Sequence, residues 1–117
     1  PFLLIGEIEN YLRRLMKGHY TIDELNDAKN SYDAKRVVSR IADLTFGEYK
    51  RLLEKPERWE KLRIQLDRKE FVEKLECVRQ IRNDVMHFDP DGIPESDLKT
   101  LREFVCFFQK LADMNVI

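Results

Sequence analysis

Three separate stretches of this chain place apolar residues three and four positions apart, and no other feature narrows its possible folds as much. Ile5, Ile8, Leu12 and Leu15, flanked by Leu4, Tyr11 and Met16, form the first. Phe71, Leu75, Val78 and Val85 form the second, and Leu98, Leu101, Phe104, Val105, Phe108 and Leu111 the third. That spacing is the signature of helices with one apolar face. No strand-like alternation, internal repeat or low-complexity tract competes with it. The expectation is an all-α fold, a helical bundle of two or three long helices with shorter connecting helices. At 117 residues the chain has room for one domain with a real core, spanning 1–117.

Capping residues set the expected boundaries. The first helix runs about four turns and ends at Gly18. Thr21 with Glu24, and Asp67 with Glu70, are spaced as capping boxes. Between Thr21 and Ala42 the pattern weakens: Tyr32 to Ile41 carries Val37, Val38 and Ile41 at helical spacing, which predicts two short helices or a bent one. Thr45 caps a segment through Phe46, Tyr49, Leu52 and Leu53 that Pro56 stops. A short helix then holds Trp59 and Leu62. The helix opened at Asp67 reaches about His87, and the last starts at Ser96 or Asp97 with a face broad enough for a core and a partner subunit, Phe107 and Cys106 widening it.

Charge limits the function classes. A net charge of -1 and a pI near 6.2 give no global attraction for nucleic acid or anionic membrane, so polyanion binding must come from local clusters. Arg13, Arg14, Lys17, Arg58, Lys61, Arg63 and Arg79 are the basic groups available, although a solvated helix face is the commoner reading of such residues. Cys77 and Cys106 lack metal-type spacing and read as small apolar fillers in a reducing, cytoplasmic setting. The opening Pro1 to Ile5 is too brief to span a bilayer and runs into Glu7 and Glu9, so no membrane anchor is expected. A proline start inside an apolar run suggests a piece of a longer chain with a further domain on its N-terminal side. No cofactor is expected, since the chain has no zinc ligand set, phosphate-cradling glycine loop or serine or cysteine nucleophile beside a histidine.

The second stripe contains an anomaly. At about 100° per residue Arg82 falls near its middle, where a guanidinium needs an anionic partner or ligand. On this pattern alone the favoured reading is a structural salt bridge, for instance to Glu7 or Glu9. Asn83 and His87 share a polar side with Glu76 and Gln80, whereas Arg82 and His87 diverge by about 140° on an ideal helix. They converge only if the last turn unwinds before Asp89-Pro90 or a second subunit completes the site. The helix C-terminus and the nearby Asp84, Asp89 and Asp91 favour a protonated His87 and Arg82 opposes it, which suits a group that exchanges protons.

Arg82-Asn83-Asp84-Val85-Met86-His87 resembles the Arg-x4-6-His signature of the HEPN superfamily, with the polar residue that commonly follows the arginine. Ile8-Glu9-Asn10-Tyr11-Leu12-Arg13 is similar to a family first helix. Leu44 to Tyr49 and Phe88 to Gly92 resemble a subgroup found C-terminal to CBS-domain pairs and other modules. The resemblance implies a homodimer with metal-independent endoribonuclease activity at the dimer cleft, leaving a 2′,3′-cyclic phosphate. Carried onto this chain it makes His87 the proton-transfer residue, has Arg82 steady the phosphorane and Asn83 orient either group. Arg79 and Arg13 are candidate RNA contacts. The tyrosine that nucleotidyltransferase-paired toxin members carry two positions after the histidine is Asp89 here, so modification of that kind is not expected. The alternative is a non-catalytic HEPN module for dimerisation or for ligand or nucleotide binding.

Overall fold

The structure, a computed structural model, describes residues 2–29, 36–86 and 93–115. In chain order these form α1 (Phe2–Met16), α2 (Ile22–Ala28), a 3₁₀ turn at Ile41–Asp43, α3 (Phe46–Glu54), α4 (Pro56–Glu60), α5 (Arg68–Met86) and α6 (Glu95–Asp113). The fold is all-α, with no strand among the described residues. The long helices are the three that carry the apolar stripes. None of the described helices is long and apolar enough to cross a membrane.

Local chemistry sets most of the boundaries. The side chain of Thr21 accepts from the Glu24 amide while Glu24 accepts from the Thr21 amide, and Thr45 and Glu48 repeat the exchange at the start of α3. At Asp67 only one arm forms: the Glu70 amide donates to Asp67 at 3.3 Å. Gly18 ends α1 in the left-handed region, φ +81°, which glycine enters without a Cβ penalty. Pro56 both ends α3 and starts α4, where its missing N–H costs nothing in the first turn. Pro94 likewise precedes α6, which begins at Glu95, slightly earlier than the expected Ser96 or Asp97.

One expected helix is different. The chain from Arg36 to Ser39 is not helical, and Ile41–Asp43 makes a single 3₁₀ turn. The Asp43 carboxylate explains it by accepting from the backbone amides of Ser39 and Arg40 at 3.1 and 3.2 Å, a local bond that competes with helix. Val38 is buried there while Val37 faces solvent at 82% exposure, so the two valines do not share a helical face. The part of that expectation falling on residues 30–35 lies outside the described residues.

The core is one cluster running between α1, α3, α5 and α6. Phe71 of α5 is at its centre, tilted against Trp59 of α4 at 5.1 Å and edge-to-face with Phe108 of α6 at 5.9 Å. Tyr11 of α1 stacks on the other side of that contact, 5.5 Å from Phe108. Tyr11 and Trp59 therefore spend their rings on packing. Cys77 and Cys106 are exposed, contrary to their reading as fillers, because Leu75, Val78, Val105 and Phe108 take the inward positions.

The contrast between these positions is measurable. Leu75, with no exposed surface, leaves a cavity when truncated. Leu75→Ala is expected to cost about 2 to 5 kcal/mol in urea unfolding, and Cys77→Ala or Cys106→Ala less than about 0.5 kcal/mol.

Candidate functional site

The last turns of α5 carry Arg82 and Asn83, and α1 packs against this helix. The apolar stripe of α5 is completed by Ile81, 5% exposed, while the Arg82 side chain keeps 30% of its surface in solvent at the margin of the core. Arg82 Nε donates to Glu9 Oε1 at 3.1 Å. This is the salt bridge that the residue pattern favoured. The same carboxylate accepts from Arg13 Nη2 through its other oxygen at 3.4 Å. Arg13 in turn donates through Nε to the Tyr49 hydroxyl at 3.0 Å and through Nη1 to Asn10 at 2.9 Å. A single carboxylate on α1 thus joins α5 and, through Arg13, α3.

Two features of this seam matter chemically. The terminal amino groups of Arg82 have no acceptor among the described residues, so none of these occupies the face of the guanidinium suited to a bidentate anion. Burial of Tyr49 raises the pKa of its hydroxyl above the ordinary value, the Arg13 bond opposing the rise, so the group stays a neutral acceptor at physiological pH. Asn83 lies next to Arg82 and is partly exposed. His87 follows Met86, the last residue of α5, and lies outside the described residues together with Asp89-Pro90. The geometric question of whether Arg82 and His87 converge therefore falls on that segment.

The two candidate RNA contacts are not brought together. Arg79 is clamped in bidentate fashion by Glu76, with Nε–Oε2 at 2.9 Å and Nη2–Oε1 at 2.5 Å. Lys50 of α3 reaches the same carboxylate at 2.8 Å. Arg79 lines a shallow depression with Gly47, Lys50 and Arg51, while Arg13 opens onto a separate cleft at the far end of α1. Of the other basic residues, Arg58 is buried and paired with Asp27, and Lys61 pairs with Glu24 at 2.5 Å. Sequence reasoning missed Arg40, which lines that cleft together with Arg13, and Tyr49 as the acceptor for Arg13. No local pattern links residues so far apart. Among the described residues no group of three or more His, Cys, Asp or Glu side chains could hold a metal ion.

Comparison with known proteins returned no matching family model, no matching curated protein and no matching solved structure.

Two measurements probe this arrangement. Because the Arg82–Glu9 pair is partly solvated, it is expected to stabilise the fold by less than about 1 kcal/mol, so Arg82→Met should barely move the urea midpoint. A loss of about 3 kcal/mol or more would instead mark Arg82 as a structural charge. Glu76 is a pH probe: bonds from Arg79 and Lys50 hold its pKa at about 2, below the ordinary 4.5. The folded value is depressed, so the contribution of Glu76 is complete above pH 4.5 and is lost as the pH falls towards 2. The stability gap between wild type and Glu76→Gln should therefore shrink between about pH 6 and about pH 2.5.

Proposed function

We propose that this chain is a HEPN-type domain whose homodimer cleaves RNA without a metal ion, in a cytoplasmic setting. The observation that carries the reading is Arg82, in the last turns of a long helix five residues before His87 in sequence, with no acceptor for its two terminal amino groups among the described residues. In this mechanism one His87 takes the proton of a ribose 2′-hydroxyl as its oxygen attacks the adjacent phosphorus. A second His87, from the partner subunit's copy of the motif, delivers a proton to the departing 5′-oxygen. The P–O5′ bond breaks as the P–O2′ bond forms, leaving a 2′,3′-cyclic phosphate and a free 5′-hydroxyl. Arg82 neutralises the charge that develops on the equatorial phosphorane oxygens, the point at which a fixed cation lowers the barrier most. Asn83 orients either group.

A second reading is favoured by the Glu9 contact. With Nε held by a carboxylate of its own fold, Arg82 acts as a latch between α5 and α1 in a non-catalytic module for dimerisation or ligand binding. The two readings part on product chemistry. Purified protein incubated with RNA in EDTA is expected to yield fragments ending in 2′,3′-cyclic phosphate, and His87→Ala to slow the reaction about 10²- to 10⁴-fold. An absence of cleavage by wild type, or equal cleavage by His87→Ala, would leave the non-catalytic module.

A further inference from the structure

Arg13 and Arg14 of α1, Lys17 directly after it, and Arg40 from the segment before the 3₁₀ turn line one cleft of about 430 Å³. Buried Met16 and Ile41 lie among its lining residues, and no carboxylate does. Two of the cations are partly neutralised from outside the cleft, Arg13 by Glu9 at 3.4 Å and Arg40 by Asp43 at 3.5 Å. The Arg14 guanidinium lies over the Tyr11 ring, 5.4 Å from its centroid, a contact that leaves its charge intact. Lys17 has no acidic partner among the described residues.

The C-terminal dipole of α1 accounts for cations on that helix. It does not account for Arg40, which a different segment brings to the same cleft. Positive charge from two segments around one partly apolar hollow suits a multiply charged anion that also carries flat apolar surface. An unpaired nucleic acid strand has both, phosphates for the rim and bases for the floor.

The cleft is also in line with the motif. Glu9, Arg13 and Lys17 follow one another at four-residue steps on one side of α1, with Arg82 bonded to Glu9 at the near end. Eight residues of helix cover about 12 Å at about 1.5 Å each. A single strand engaged at Arg82 therefore has only a few nucleotides to run before it reaches Lys17.

We propose that this cleft is the strand-binding subsite for single-stranded RNA, holding backbone phosphates a few nucleotides from the bond engaged at Arg82. The proposal rests on the RNA reading of the Arg82–His87 end and says where the substrate runs. It also reconciles a net charge of -1 with a polyanionic substrate, since the attraction is local.

The test is fluorescence anisotropy with a labelled single-stranded RNA of about a dozen nucleotides, using His87→Ala protein so that the probe stays intact. Adding Lys17→Glu and Arg40→Glu to it should weaken binding roughly tenfold or more and lower the slope of log affinity against log salt by about 1.4, two phosphate contacts' worth. In the protein with His87 intact, the same pair of changes should leave cleavage of a dinucleotide, too short to reach the cleft, at the wild-type rate. Circular dichroism checks the fold, and Lys17→Gln with Arg40→Gln replaces the charge reversal if it perturbs the spectrum. Unchanged RNA affinity in these variants overturns the cleft. So does an equal loss in Lys69→Glu with Lys110→Glu, which alters net charge identically on exposed helix surface, and so does a wild type that binds no RNA. Cleft-dependent binding without any cleavage upholds the subsite and removes the ribonuclease reading, whereas cleavage with affinity indifferent to Lys17 and Arg40 does the reverse.

Discussion

The ring of Phe71 touches more of the fold than any polar contact does. It meets Trp59 of α4 on one side and Phe104, Phe107 and Phe108 of α6 on the other, with centroid separations of 5.1 to 6.2 Å. Through Phe108, on which Tyr11 stacks, it also sets the position of α1. Such contacts combine large apolar burial with preferred ring geometry, so they fix both the distance and the rotation of the helices they join. Once α1 and α5 are held this way, Glu9 and Arg82 meet, and everything polar at that end follows from the meeting.

Glu9 is then the organising charge. It lies between two guanidiniums, and its removal would leave Arg82 and Arg13 without an anion on a stretch of helix that already carries Arg14 and Lys17. In the proposed function an incoming phosphate and Glu9 are alternatives for the same cations. The carboxylate partly offsets the positive charge there through the Nε of Arg82, leaving its terminal amino groups without an acceptor among the described residues. Arg79 with Glu76 and Arg58 with Asp27 are countered by carboxylates of their own. The cleft at the C-terminal end of α1, by contrast, gathers four basic residues and no carboxylate in its lining.

Much of the architecture was legible because its causes are local. The capping boxes at Thr21 and Thr45 are exchanges between residues three apart, and Gly18 and Pro56 act through their own backbones. The salt bridge of Arg82 to α1 was legible too, since a cation in an apolar stripe must be answered and few acids lay within reach. The segment around Val37 and Val38 was not, because the spacing that suggested helix is overridden by the Asp43 side chain capturing two amides. Cys77 and Cys106 failed as fillers for a related reason: a helix has only one inward arc, and larger apolar residues occupy it.

The sequence by itself determined the three long helices, most of their stops and starts, the all-α class, and the presence of an arginine in the last turns of the central one. These depend on periodicity, capping and side-chain identity, which act within a few residues. Only the tertiary structure decided that Ile81 completes the α5 stripe while Arg82 lies at its edge, that one carboxylate serves Arg82 and Arg13 together, and that Arg40 and Lys17 line one cleft. Those pairings join residues far apart in the chain, and their geometry comes from how the aromatic core sets one helix against another.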